Sequence, residues 1–298
     1  MVNNMNHEIN MENFNIRTDL AIEEINDKTT IEEKINDIKV TTINIEKDSN
    51  MKKRGKYITI EFSDITDFNN SKNVENVFIT KLKKLLKENN IKENDTCLVI
   101  GLGNEKSTPD SLGPLSVNNI IVTRHFYCLN IDIEKGFRNV AAINPNVMGQ
   151  TGIETSDIIS AITNKIKPDF IIVIDSLKSS KVNRINKTIQ ITDAGINPGS
   201  GIGNNRKEIS KEILGIPVFA IGIPTVVDTI TIINESFNEK EIKKLSDDEV
   251  KKIISKLLLP TQCNMIVTPT DIDFQIQRLS EVLSNGINNT LHKNVTKL

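Results

Sequence analysis

Three short apolar runs each stop on a glycine or an aspartate: residues 97–100 before Gly101, 170–174 before Asp175, and 218–221 before Gly222. Uninterrupted apolar runs of this length suit strands buried on both faces. The text between them has a helical period. Residues 74–89 set Val77, Ile79, Leu82, Leu85 and Leu86 on one stripe, with lysines opposite. Within 111–127, Leu115, Ile120, Ile121 and Phe126 recur at helical spacing, and Asp110 stands where an N-cap belongs. Residues 153–166 read as a further helix, ended by Lys167 and Pro168. Strands alternating with helices predict an α/β fold: a mostly parallel central sheet flanked by helices. Open sheets of this kind carry their chemistry beyond the carboxyl ends of the strands. Residues 101–110, 175–178 and 222–228 therefore rank first as site candidates.

The rest of the chain is read around that centre. Residues 56–62 alternate as a half-buried strand would, and residues 1–55 are a polar arm with one weak alternation at Val40, Thr42, Asn44 and Glu46, the pattern of an edge strand. Helices are expected over 239–258 and 271–291, closing a single domain with no boundary beyond the arm. Lys and Arg number 37 against 39 Asp and Glu, interspersed, for a net charge of −2. That balance argues against a direct nucleic-acid binder, which needs a basic excess. Cys97, Cys128 and Cys263 are too scattered for a disulfide framework, so a reducing, cytoplasmic setting is expected. The first residues lack the basic and apolar segments of a signal peptide, and no apolar run has the length of a membrane helix, so no membrane association is expected.

Several chemistries fit the motifs poorly. GlyLeuGlyAsn after the first run invites nucleotide binding, but Lys106 stands where GxGxxG needs its third glycine. The glycine-rich stretch 198–203 lacks the ending of a phosphate loop, and reads as a tight loop near the site. His7, His125 and His292 lie far apart, with no metal-ligand spacing, so neither metal nor cofactor is expected. Cys97 falls inside a strand and Cys128 at the end of an apolar helix, where inert burial is the commoner fate. Carboxylates remain. Asp110 and Asp175 both sit at strand-proximal turns, where a close pair can share a proton and activate water. Alone, Asp110 reads equally as an N-cap and Asp175 as a strand end. Asp193, closing a later strand-like run, is the reserve, and the loop after it offers backbone N–H groups to an oxyanion. The competing reading is a non-enzymatic α/β module that binds nucleotide or protein.

Longer strings resemble a known family. IleArgThrAspLeuAlaIleGlu (16–23), GlyLeuGlyAsn with ThrProAspSerLeuGlyPro (101–114), ValMetGlyGlnThrGlyIleGluThrSerAspIle (147–158) and IleThrAspAlaGlyIleAsnProGlySerGlyIleGlyAsn (191–204) are similar to the spore germination protease family. IleGlyIleProThrValValAsp (221–228) and MetIleValThrProThrAspIleAsp (265–273) extend the match in collinear order. The resemblance implies an atypical aspartic endopeptidase whose two aspartates fall on Asp110 and Asp175, with a hydrogenase-maturation-endopeptidase-like core. A metal-dependent enzyme of that maturation type is the alternative it brings. It further implies a zymogen that cuts itself between Asp19 and Leu20, making residues 1–19 a propeptide and 20–298 the protease domain, with 20–55 as its arm. Small acid-soluble spore proteins, cut after acidic residues, would be the substrates, a homotetramer the assembly, and the forespore and spore core the location. The segment 228–260 is short beside that of longer family members, which bears on the tetramer and not on the aspartates.

Overall fold

The computed structural model describes residues 18–24, 30–49, 52–199, 207–237 and 265–293. Among these, nine strands form one sheet: β1 (Ile31–Ile35), β2 (Ile38–Ile45), β3 (Gly55–Glu61), β4 (Cys97–Gly101), β5 (Val140–Ile143), β6 (Phe170–Ser179), β7 (Thr188–Thr192), β8 (Val218–Asp228) and β9 (Ile266–Val267). Their order is β1-β2-β3-β7-β8-β6-β4-β5, with β9 added along β8. The fold is α/β with flanking helices, as the alternation predicted. The parallel part is confined to β8, β6, β4 and β5, whereas β7, β3, β2 and β1 pair antiparallel, so the sheet is mixed rather than mostly parallel.

Two parts of the sheet depart from the sequence reading. The expected arm is part of the sheet: β1 and β2 form a hairpin whose turn residues, Asn36 and Asp37, both take positive φ, the requirement of a tight hairpin turn. Its inner strand β2 is no edge, since β3 pairs along it and Ile38 and Val40 are fully buried in the main core. The outer strand is tied down by the buried Lys81 ammonium, which meets the Glu33 carboxylate. The second segment is the pair β6 and β8. Both run past the positions where their apolar runs end, side by side from Asp175↔Gly222 to Ser179↔Val227, with an irregularity at Leu177/Lys178. Asp175 is therefore a mid-strand residue. Each strand continues because the other supplies hydrogen-bond partners that a one-dimensional pattern cannot show.

One face of the sheet is closed by three helices: α2 (Phe68–Glu88), α3 (Leu112–Asn118) and α9 (Ile272–Leu291). Helix α2 begins earlier than its apolar stripe, because the Asp67 side chain accepts the Asn70 N–H at 2.7 Å and caps it. The helix expected over 111–127 is broken into α3 and α4 (Arg124–Cys128). Asn288 of α9 makes the break: its Oδ1 accepts from Ile121 N–H at 2.9 Å and its Nδ2 donates to Asn119 O at 2.9 Å, taking groups a continuous helix would use. The opposite face is covered over β4, β6 and β8 by α6 (Thr155–Ile166), which follows the short α5 (Met148–Thr151). Two short helices, α7 (Lys211–Leu214) and α8 (Thr229–Phe237), flank β8. Farther along this second face a helical layer is replaced by α1 (Ala21–Glu24), with Ala21 packed on Ile43 and Tyr57. The helix expected over 239–258 lies outside the described residues.

Candidate active site

A single row of the sheet sets up the site. Thr59 of β3 pairs with Gln190 of β7, Gln190 with Gly222 of β8, and Gly222 with Asp175 of β6. Directly paired residues project from the same face, so the Asp175 carboxylate and the Gln190 carboxamide stand on one side, two strands and about 10 Å of backbone apart. The residue between them has no side chain. The Leu177 side chain lies over that glycine, where a Cβ would come within 2.5 Å of it, so position 222 has room only for hydrogen. Ile189 and Ile191, with Ile172 and Ile174, face the three-helix layer; Asp175 and Gln190 face the other way, where α6 no longer reaches.

Asp110 enters from the end of β4. It closes a 3₁₀ turn over Thr108–Asp110, rather than capping α3, and is half-buried. Gly103, at φ +113°, lies under it: a Cβ there would be 2.0 Å from Asp110 O. The turn is fastened by Asn104 N–H to Asp110 O (2.9 Å), by Asp110 N–H to Ser107 O (2.8 Å) and by Thr225 Oγ1 of β8 to Pro109 O (2.7 Å). Asp175 is buried, and its Oδ1 accepts the Ser176 N–H at 2.9 Å.

Asp110 and Asp175 line one cavity of about 550 Å³, together with Asp19, Lys178, Gln190 and Tyr57. Burial pushes the Tyr57 hydroxyl well above the usual phenol range, and it donates to Lys53 O at 2.9 Å. The Ser176 hydroxyl is buried with no hydrogen-bond partner among the described residues and lines the same space. Lys178 sends its ammonium inward to Asp228 Oδ2 at 2.7 Å, an ion contact without hydrogen-bond direction; the two side chains are 5% and 3% exposed.

Asp19 reaches this cavity because the segment around it is docked, main chain first. Asp19 N–H donates to Lys178 O (2.9 Å), and Lys178 N–H donates back to Asp19 Oδ2 (2.9 Å). Gln190 Nε2 donates to Asp19 O (3.1 Å), and Gln190 Oε1 accepts from Ala21 N–H (2.8 Å). Lys52 Nζ bridges Thr18 O (3.2 Å) and Glu24 (3.1 Å), and burial still holds the Glu24 carboxyl above its ordinary range. Beyond the bond, the fully buried Glu23 side chain gathers Thr18 Oγ1, Ser179 Oγ and both Ser180 donors, with Arg184 at 3.5 Å. Leu20 and Ala21 are completely buried.

Of the residues singled out in the sequence, the structure brings Asp110, Asp175 and Asp19 together, with Leu20 next to them. Asp193 has a different place: its Oδ1 accepts Lys56 N–H (2.7 Å) and its Oδ2 accepts Asn89 Nδ2 (3.0 Å), joining β3 to the end of α2. It does not line the cavity. Ala194, Gly195, Asn197 and Gly199 of the following loop do, while residues 200–203 lie outside the described residues. Cys97 is buried as expected, but Cys128 is exposed, because α4 is a single surface turn. Gln190 carries little signal in the sequence, because ThrIleGlnIleThr reads as an ordinary alternating strand; its one mark is a carboxamide in a strand paired on both sides. Among the described residues no cluster of three or more His, Cys, Asp or Glu is arranged to hold a metal ion. Nor is any of their helices long and apolar enough to cross a membrane.

Comparison with known proteins gives a consistent set of matches. The sequence model of the germination protease family matches residues 4–239 and 240–297. The two pieces meet inside the 228–260 stretch expected to be short. Similar proteins include the germination proteases of Oceanobacillus iheyensis, 39% identical with 95% of each chain covered, and of Priestia megaterium, 37% identical over 98% of this chain and 97% of that one. That of Geobacillus sp. strain WCH70 is also 37% identical, over 98% and 97%. Among solved structures, the [NiFe] hydrogenase maturation protease HycI from Thermococcus kodakarensis KOD1 aligns with 70% of this chain and 99% of its own at 15% identity. The TM-score of that alignment is 0.35.

Proposed function

The chain belongs to the germination protease family and is an endopeptidase by that membership, and from this premise we propose that it is made as a zymogen which cuts its own Asp19–Leu20 bond and then degrades small acid-soluble spore proteins. The observation that carries this reading is the shared cavity: Asp110, Asp175 and Asp19 line the same 550 Å³ space. Asp110 and Asp175 act as a dyad holding one proton. The ionised member takes a proton from water, and the protonated member polarises the scissile carbonyl. The water oxygen bonds to the Asp19 carbonyl carbon, the carbon–nitrogen bond to Leu20 breaks, and the departing nitrogen takes up a proton. The shared proton belongs to the pair, so base and acid are not assigned to individual residues.

The docked segment supports the choice of bond. An acidic residue precedes it, an apolar residue follows, and the sequence ArgThrAspLeuAla presents these in the order a spore-protein substrate would. Action in the forespore and assembly as a homotetramer complete the proposal, both resting on family membership. The test is substitution. Asp110→Asn and Asp175→Asn should each abolish release of residues 1–19 and cleavage of a purified spore protein, with the melting temperature unchanged. Continued processing by both variants would overturn the dyad.

A further inference from the structure

We infer that Gln190 is a catalytic residue of this protease: its carboxamide spans the scissile bond, donating to the carbonyl oxygen that becomes the oxyanion and holding the backbone N–H on the leaving side. The inference rests on the reading of Asp19–Leu20 as the bond that is cut.

The main-chain accounting around that bond is complete. Asp19 N–H is taken by Lys178 O, and Leu20 N–H by Thr18 Oγ1 at 3.1 Å. Leu20 O accepts from Glu23 N–H at 3.3 Å, and the other two groups, Asp19 O and Ala21 N–H, both go to the side chain of Gln190. Its orientation follows from its partners: a carbonyl oxygen can only be met by the NH₂ group, and an amide N–H only by the side-chain oxygen. Both contacts are to backbone, so the clamp does not depend on the side chains flanking the bond. Selection by side chain is left to the pockets on either side.

Three features fit Gln190 for this work. It is buried and fixed on a strand paired on both edges, so its donor is in place before charge develops. It stands on the Asp175 face of the sheet, in the same row as that residue, with Gly222 between them under the Leu177 side chain. Among the described residues its carboxamide hydrogen-bonds to no other side chain, and its partners are the two backbone groups at the bond. When water adds to the Asp19 carbonyl carbon, the carbonyl π electrons move onto the oxygen that Nε2–H already faces. The donor stabilises that charge and gives up no proton, and the oxygen returns to a carboxyl group as the bond to Leu20 breaks.

Gln190→Glu separates the two contacts. Ionised glutamate still accepts the Ala21 N–H but cannot donate to Asp19 O. Removing an oxyanion donor costs on the order of 10²–10³-fold in rate. The full-length chain is followed by mass spectrometry for release of residues 1–19, and the processed enzyme is assayed on a peptide of residues 16–23. The expected result is a fall of about 10²-fold or more in self-cleavage and in kcat, a KM within a few-fold of wild type, and retained exchange protection at the Ala21 amide. Processing at the wild-type rate, or a loss confined to KM, overturns the assignment. Should Gln190→Glu melt early, the uncharged Gln190→Met takes its place under the same two outcomes. Wild-type product that does not begin at Leu20 refutes the choice of bond, whatever Gln190 does. The two failures are thus told apart.

Discussion

Asp228→Asn should be among the most damaging isosteric changes in the molecule, and the magnitude follows from burial. Lys178 and Asp228 are 5% and 3% exposed, with 2.7 Å between ammonium and carboxylate. Neutralising Asp228 removes the carboxylate that the buried ammonium meets, and breaking a buried pair in this way costs about 3–5 kcal/mol. With a urea m value of about 3 kcal/mol/M, the unfolding midpoint should fall by about 1–2 M. Far-UV circular dichroism against urea measures this directly. The double variant Lys178→Met with Asp228→Leu removes both charges and should recover most of the loss, since an apolar pair of similar size is often neutral or better. Lys178 also holds Asp19 through its main chain, so Asp228→Asn should reduce exchange protection at the Asp19 amide. A destabilisation below about 1 kcal/mol would place the pair in the weak class of exposed bridges and refute the reasoning.

Three further outcomes are expected. Gly103→Ala combines an unfavourable positive φ with a Cβ only 2.0 Å from Asp110 O, so it should displace the Asp110 turn and stop self-processing while the far-UV spectrum stays folded. Burial pushes the Cys97 thiol far above its ordinary value, so peptide mapping after brief treatment with a thiol reagent should find Cys128 modified and Cys97 untouched until the chain is unfolded. Burial holds His292 below the ordinary 6.5, neutral between Arg138 N–H at its Nδ1 and Ile121 O at its Nε2. The unfolded chain therefore binds a proton that the native one refuses, and this contribution, full above about pH 6.5, is lost as pH falls toward the native value. Between about pH 8 and about pH 5.5 the wild type should lose more stability than His292→Asn, by urea midpoint.

How much of this was legible in the sequence depended on whether the signal was local. Strands β4, β6 and β8 announced themselves as apolar runs, and the residues after them carried Asp110 and Asp175. The hairpin of β1 and β2 did not, because its charged outer strand, IleGluGluLysIle, gains its place from Lys81 and from pairing along β2. The extension of β6 and β8 beyond Asp175 and Gly222 was hidden for the same reason: each is the other's partner, and the polar residues there look like loop. Gln190 was invisible as a site residue because its importance lies in facing Asp19, 171 positions away in sequence. Asp193 illustrates the converse. Like Asp175 it follows a strand-like run in the sequence, but β7 runs antiparallel to its neighbours, so its end lies beside β3 and α2.

The docking of residues 18–24 has a kinetic consequence. A molecule that carries the bond to be cut in its own cavity needs no encounter with another copy. On the proposed reading, maturation is then first order: each chain keeps its own time, and the half-life for losing residues 1–19 is unchanged by a thousandfold dilution. Catalytically dead chains mixed with active ones would stay uncut. A half-life that lengthens on dilution would mean that the segment leaves its seat and is cut in a neighbour's cavity.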